Sequence, residues 1–286
     1  MMNLNKLTDC YTLSNGVKIP VIGLGTWQIQ NGDAAVQSVL DAIELGYRHI
    51  DTAQGYGNEE SVGKAIKRSN VKREDIFVTS KLQNSYRGYD KTMEVFHESL
   101  KKLEMEYMDL FLIHWPNPVS YRENWEEMNS ESWRAMEDLY KEGKIRAIGI
   151  SNFLPHHIDA LMKTATITPM VNQIKLCPGT PQTDTVQFCR EKNMLLEAYS
   201  PLATGKVFEV KEIQELANRH GKSIAQICMR WSLQMGFLPL PKTTKMERMK
   251  ENADIFDFFL TDEEIKILTH ITGKCEGYTD PDTITW

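Results

Sequence analysis

The stretch "GLGTWQ", residues 23–28, decides how this chain folds. It follows the apolar pair Val21-Ile22, and its glycines at 23 and 25 begin like the phosphate-binding turn of a doubly wound sheet. That turn needs a third glycine at position 28, where a helix packs closely on the strand. Position 28 is a glutamine, so the signature fails at its third place.

"VIGLGT" (21–26) is the first of eight short apolar runs. The others are "YRHIDT" (47–52), "IFVTSK" (76–81), "MDLFLIH" (108–114), "IRAIGIS" (145–151), "PMVNQI" (169–174), "LLEAYS" (195–200) and "FLPLPK" (237–242). None alternates strictly, as expected of strands covered on both faces. Between them lie stretches with apolar residues at helical spacing. "DAAVQSVLDAIELG" sets Val36, Val39, Leu40 and Ile43 on one side, and "YDKTMEVFHESLKKLEM" does the same with Met93, Phe96, Leu100 and Leu103. "SESWRAMEDLYKEGK" opens at Ser130 and stops at Gly143, and further helical patterns start at Thr183, Val210, Ser223 and Lys245. A strand-then-helix unit repeated eight times predicts an α/β protein, a (β/α)8 TIM barrel, as one domain over 1–286. "YTL" and "VKIP" around "SNG" predict an N-terminal β-hairpin. "LTDEEIKILTHI" (260–271), with Thr261 as N-cap, predicts an extra C-terminal helix. Segment 117–130 reads as a long polar-aromatic loop, and the tail 273–286 as irregular structure ending on Trp286.

The chain of 286 residues is long enough for such a barrel, and its formal net charge of −6 argues against a general attraction to nucleic acid or anionic membrane. The five cysteines are scattered, odd in number and without a CxxC pair, which predicts reduced thiols in a reducing compartment. No secretory leader is evident at the N-terminus, and no apolar run reaches membrane-spanning length. The expectation is a cytoplasmic protein.

The C-terminal ends of parallel barrel strands share one face. Here those ends carry Asp51, Lys81, His114, Ser151-Asn152, Gln173, Tyr199-Ser200 and Lys242. Taken singly, Lys81 reads as a solvated lysine and His114 as a core histidine; the series marks a site. In "RHIDTAQGYGNEE" (48–60) a strand ends and a helix starts; the buried strand ends on Asp51, which is costly unless a cation serves it. Lys81 is the expected cation. An ammonium beside Tyr56 is expected to lower its phenol pKa from about 10, and two units would correspond to about 2.7 kcal/mol. A general acid works best with a pKa near the working pH. Gly55 and Gly57 are expected to let Tyr56 occupy the turn. A neutral His114 imidazole could donate to a carbonyl oxygen. Lys242 and Thr243-Thr244 lie where a strand ends and a helix starts, a frequent phosphate site. The remaining histidines read as surface or packing residues. No HExxH or grouped ligand spacing predicts a metal, and no carboxylate pair supports a hydrolase.

"GLGTW", "HIDTAQGYGNE", "VTSK", "DLFLIHWP", "GKIRAIGISNF", "VNQI", "YSPL" and "PKTTKMERMKEN" together resemble the aldo-keto reductase family, in its order and spacing over nearly the whole chain. The resemblance implies an NADPH-dependent reductase of aldehydes and ketones with a catalytic set of Asp51, Tyr56, Lys81 and His114, Tyr56 being the general acid. It implies nicotinamide contacts at Ser151, Asn152, Gln173 and a stacking Tyr199, with Gly25, Thr26, Ser200 and Leu202 nearby. It places the 2′-phosphate and adenine at Lys242, Thr243, Arg248, Glu251 and Asn252. Substrate walls would include Trp27, Trp115 and Trp286, and a monomer is expected. The chain departs from many relatives in continuing "VNQI" with "KLCPG". After "YSPL" it has only a short "ATGK" loop, which predicts an open cofactor cleft. Some proteins of this fold are cofactor-binding regulatory or structural proteins; the complete Asp-Tyr-Lys-His set argues against that alternative.

Overall fold

In a computed structural model, residues 4–275 and 277–286 are described. The readings that touch residues 1–3 and Glu276 lie, at those positions, outside the described residues. The first element is an antiparallel hairpin, β1 (Cys10–Thr12) and β2 (Lys18–Pro20), turned at Gly16. Eight parallel strands follow: β3 (Leu24–Gly25), β4 (His49–Asp51), β5 (Phe77–Leu82), β6 (Met108–Ile113), β7 (Ile145–Ser151), β8 (Val171–Lys175), β9 (Leu195–Tyr199) and β10 (Phe237–Leu240). Each pairs with the next in chain order.

The ends of this sheet meet. Gly23 N–H donates to the Pro239 carbonyl at 3.1 Å and Gly25 N–H to the Pro241 carbonyl at 3.0 Å. The prolines cannot donate in return, so the seam carries hydrogen bonds in one direction only. That explains why β3 is two residues long where the apolar run predicts six. A Cβ at Gly25 would stand 3.1 Å from the Leu240 carbonyl, so the seam also needs a small residue there.

The helices are α1 (Asp33–Glu44), α2 (Glu59–Arg68), α3 (Tyr89–Leu103), α4 (Trp125–Lys141), α5 (Pro155–Met162), α6 (Thr183–Glu191), α7 (Lys211–His220), α8 (Ile224–Gln234), α9 (Met246–Ala253) and α10 (Asp262–Thr269). They turn their apolar stripes inward: Val36, Val39 and Ile43 of α1 and Phe96, Leu100 and Leu103 of α3 are buried. α10 is the extra helix, capped as predicted by Thr261, whose hydroxyl accepts from Glu264 N–H. Two helices differ from the sequence reading. α4 starts at Trp125, five residues before Ser130, which shortens the supposed long loop. Asn124 precedes it, and Glu126 and Glu127 lie in its first turn, where carboxylates favour the helix. α5 has no counterpart among the predicted helices; it is short and begins on Pro155, which reads as a breaker but suits the first helical position. No helix among the described residues is long and apolar enough to cross a membrane.

Candidate active site

β4 ends on Asp51 and β5 carries Lys81 beside it, both buried in the barrel. The Lys81 ammonium lies 2.7 Å and 2.8 Å from the two Asp51 oxygens and donates to the Thr52 carbonyl at 2.9 Å. The same nitrogen stands 3.3 Å from the Tyr56 hydroxyl. Burial works against the ammonium, but Asp51 and then Tyr56 outweigh it and hold the Lys81 pKa above its ordinary value.

Tyr56 ends a 3-10 turn, Gln54–Tyr56, and is half-buried at the barrel mouth. Gly57 follows in the left-handed region at φ 68°. Gly55 does not have a positive φ, and a Cβ there would meet only Gln83 Cγ at 3.9 Å. Of the two glycines, backbone geometry thus requires only the second. The phenol corrects a second expectation. Burial raises its pKa, Lys81 opposes this, and Asp51 adds to it; the net direction is upward. Lys81 restrains the rise without reversing it.

His114 follows β6, with its ring edge-on to Tyr56 at 5.8 Å between centroids. Burial, then the charges of Lys81 and Arg87, hold its pKa well below 6.5, so the imidazole is neutral as expected. Arg87 is a site residue that the sequence reading missed. It is buried without a carboxylate partner among the described residues and instead donates to the carbonyls of Gln83, Tyr86 and Trp115. Asn58 was also missed. Its amide donates to the Thr26 and Ile29 carbonyls and accepts from Thr52, so it ties the Trp27 loop to the Tyr56 turn. A small amide just before a helix, in "GNEE", was the available signal.

The expected nicotinamide residues form one network. Tyr199 donates to Asn152 Oδ1 at 2.8 Å, the Asn152 amide donates to the His114 carbonyl and Ser151 Oγ, and Ser151 donates to the Gln173 carbonyl. Gln173 donates to Asp51 Oδ2 at 2.8 Å. Asn152 and Ser200 sit at positive φ, 62° and 49°, where the chain turns off its strands. Thr26 bonds the Asp51 carbonyl through both its N–H and its hydroxyl, a role that positions Asp51. Leu202 is half-buried and leads into a short turned segment, Ala203–Glu209.

Lys242 and Arg248 are exposed at and beyond the end of β10 and have no carboxylate within ion-pair distance among the described residues. Both cations are therefore available to an anionic group. Thr243 and Asn252 are buried beside them and Glu251 is half-buried. Trp115 is buried with Trp286 edge-on to it at 5.6 Å, while Trp27 is exposed.

The tail that carries Trp286 is pinned at Asp282, which accepts from His157 at 2.9 Å and from Asn117. With His156 this makes a His-His-Asp group of the kind that can hold a metal, formed by residues too far apart for sequence spacing to show. His157 Nδ1, however, accepts the Leu154 N–H at 3.2 Å, which leaves Nε2 as the proton-bearing donor to Asp282. The cluster is a tail anchor.

Comparison with known proteins agrees with this geometry. The model of the Aldo/keto reductase family matches residues 21–272. Glyoxal reductase from Bacillus subtilis is 46% identical over 278 residues, covering 97% of this chain and 98% of that protein. An aldo/keto reductase structure from Brucella melitensis is 43% identical with a TM-score of 0.87, covering 93% and 98% of the two chains. A Bombyx mori aldo-keto reductase solved in complex with NADP is 34% identical with a TM-score of 0.81, covering 93% and 92%. A strand order, a buried ion pair at the strand ends and a sequence likeness that runs almost end to end lead to one conclusion: the chain belongs to the aldo/keto reductase family and is an oxidoreductase acting on carbonyl groups.

Proposed function

We propose that the protein reduces aldehydes and ketones with NADPH, with Tyr56 as the general acid. The observation that carries this is the position of the Tyr56 hydroxyl, 3.3 Å from an ammonium that Asp51 holds charged. Bound NADPH supplies the hydride. The protein's part is the proton and the charge. Neutral His114 donates to the substrate carbonyl oxygen and orients it toward Tyr56. Tyr56 then gives its proton to that oxygen, and Lys81 stabilises the phenolate left behind. Because burial raises the phenol pKa, this stabilisation is needed most when the proton departs, which favours the transition state over the resting enzyme.

Ser151, Asn152, Gln173 and Tyr199 would hold the nicotinamide end, and Lys242, Thr243, Arg248, Glu251 and Asn252 the phosphate and adenine end. The two unpaired cations support NADPH over NADH, since a 2′-phosphate adds charge they can meet. The likeness to a glyoxal reductase supports small oxoaldehydes as substrates. The short Ala203–Glu209 connection supports an open cofactor cleft with quick cofactor exchange. The test is loss of NADPH absorbance with methylglyoxal or a nitrobenzaldehyde. Turnover supports the reading, and a flat trace across a carbonyl panel sinks it.

A further inference from the structure

Beneath Asp51 lies a carboxyl that the reaction does not touch. Glu197 is fully buried on β9, in register with Gln173 of β8. The Gln173 amide nitrogen donates to Asp51 Oδ2 at 2.8 Å and to Glu197 Oε2 at 2.7 Å. Both of its N–H groups are thereby committed, and a flipped amide would set its oxygen against two carboxyl groups. The other Glu197 oxygen, Oε1, has no hydrogen-bond partner among the described residues. His49 Nε2 is 3.9 Å from it, but bonds Thr79 Oγ1 at 2.9 Å.

We propose that Glu197 is a positioning residue whose protonation state is passed through the Gln173 amide to Asp51, and so to the Lys81–Tyr56 pair. The inference rests on the reductase reading. The groups that face Glu197 are few. β4 presents Asp51 and His49, β5 presents Lys81, and β10 presents only Phe237, Leu238, Pro239 and Leu240. Asp109 of β6 is taken by Arg73 and Arg146. Burial and Lys81 keep His49 neutral, at about 3, so it offers no counter-charge. Burial, then Asp51, push Glu197 up to about 8, against the pull of Gln173 and Lys81.

Below that value Glu197 is a neutral acceptor that holds Gln173 in place. Above it, a second negative charge lies one amide from Asp51. That charge favours the Lys81 ammonium and opposes the phenolate that proton donation by Tyr56 leaves behind. Carbonyl reduction therefore slows as pH rises through about 8.

The experiment compares kcat for reduction against pH in wild type and Glu197→Gln, whose amide oxygen still accepts from Gln173 but cannot ionise. Wild type is expected to fall several-fold across a limb near pH 8, and the variant to match it within about threefold on the acid side and lack that limb. The same limb at the same pH in both proteins overturns the proposal. Absence of turnover in wild type would sink the reductase reading instead. Should the variant not fold, infrared titration of unliganded protein decides. The protonated-carboxyl band must persist at neutral pH and bleach above it, in Glu59→Gln as in wild type, because Glu59 is another buried carboxyl whose pKa is raised. No such band in Glu59→Gln overturns the proposal without any measurement of activity.

Discussion

Lys81 and Asp51 meet inside the barrel wall with almost no access to water: the ammonium side chain is 0% exposed and the carboxylate side chain 5%. Desolvating two charges is expensive, and a well-packed apolar pair would often be as stable. Tyr56 is half-buried at the barrel mouth beside them, so the pair is set where its field acts on the hydroxyl proposed here as the proton donor.

Removing one partner separates this cost from its use. Asp51→Asn leaves a buried ammonium without its counter-charge and should lower stability by about 3–5 kcal/mol. Lys81→Met with Asp51→Asn should recover much of that loss while remaining inactive. Urea unfolding of the three proteins checks it. A single variant as stable as wild type would mean that the ion pair is not desolvated.

Stability should also follow the proton on Glu197. Its folded-state pKa of about 8 lies above the ordinary 4.5, so the native chain keeps a proton that the unfolded chain releases. The stabilising contribution is fully present below about pH 4.5 and is lost as pH rises to about 8, with an upper limit on the order of 5 kcal/mol. Glu197→Gln, which cannot ionise, should therefore gain stability relative to wild type as pH climbs through that window. A difference that stays constant with pH contradicts this.

The two glycines around Tyr56 should behave unequally. Gly57→Ala forces a side chain into the left-handed region at a cost of about 1–2 kcal/mol and should disturb turnover, because Tyr56 precedes it. Gly55→Ala has room and should leave both stability and kcat near wild type. Thermal melts and kcat of the pair give the comparison, and equal losses would contradict it.

Cofactor choice should reside in Arg248. Arg248→Ala removes a free cation from the proposed phosphate site and should weaken NADPH binding by about tenfold to a hundredfold, leaving NADH nearly unchanged. Fluorescence titration with both cofactors measures this. Equal weakening of the two would point to a general packing role.

The barrel was legible because the failed third glycine at Gln28 and eight separated apolar runs are local features of the chain. The grouping of the proposed catalytic residues was legible for a similar reason: Asp51, Lys81 and His114 stand at or just after strand ends, and parallel strands bring such ends together. Other features were not legible. Glu197 lies inside an apolar run, and its neighbours come from β4 and β8, so its meaning is tertiary. The sign of the Tyr56 shift depends on how far burial outweighs one ammonium, which sequence does not give. The Asp282 anchor joins the tail to α5 and Asn117, a contact set by the path of an irregular segment. Helix α4 failed for a smaller reason, since its first turn is rich in polar residues and imitates a loop.

In the proposed reaction the Tyr56 proton reaches the substrate oxygen. Its direct measurement is Tyr56→Phe, assayed for carbonyl reduction and, separately, for NADPH binding by fluorescence. Cofactor binding should stay close to wild type, with reduction lowered by roughly two to four orders of magnitude. Reduction at the wild-type rate in a protein without that hydroxyl would contradict it.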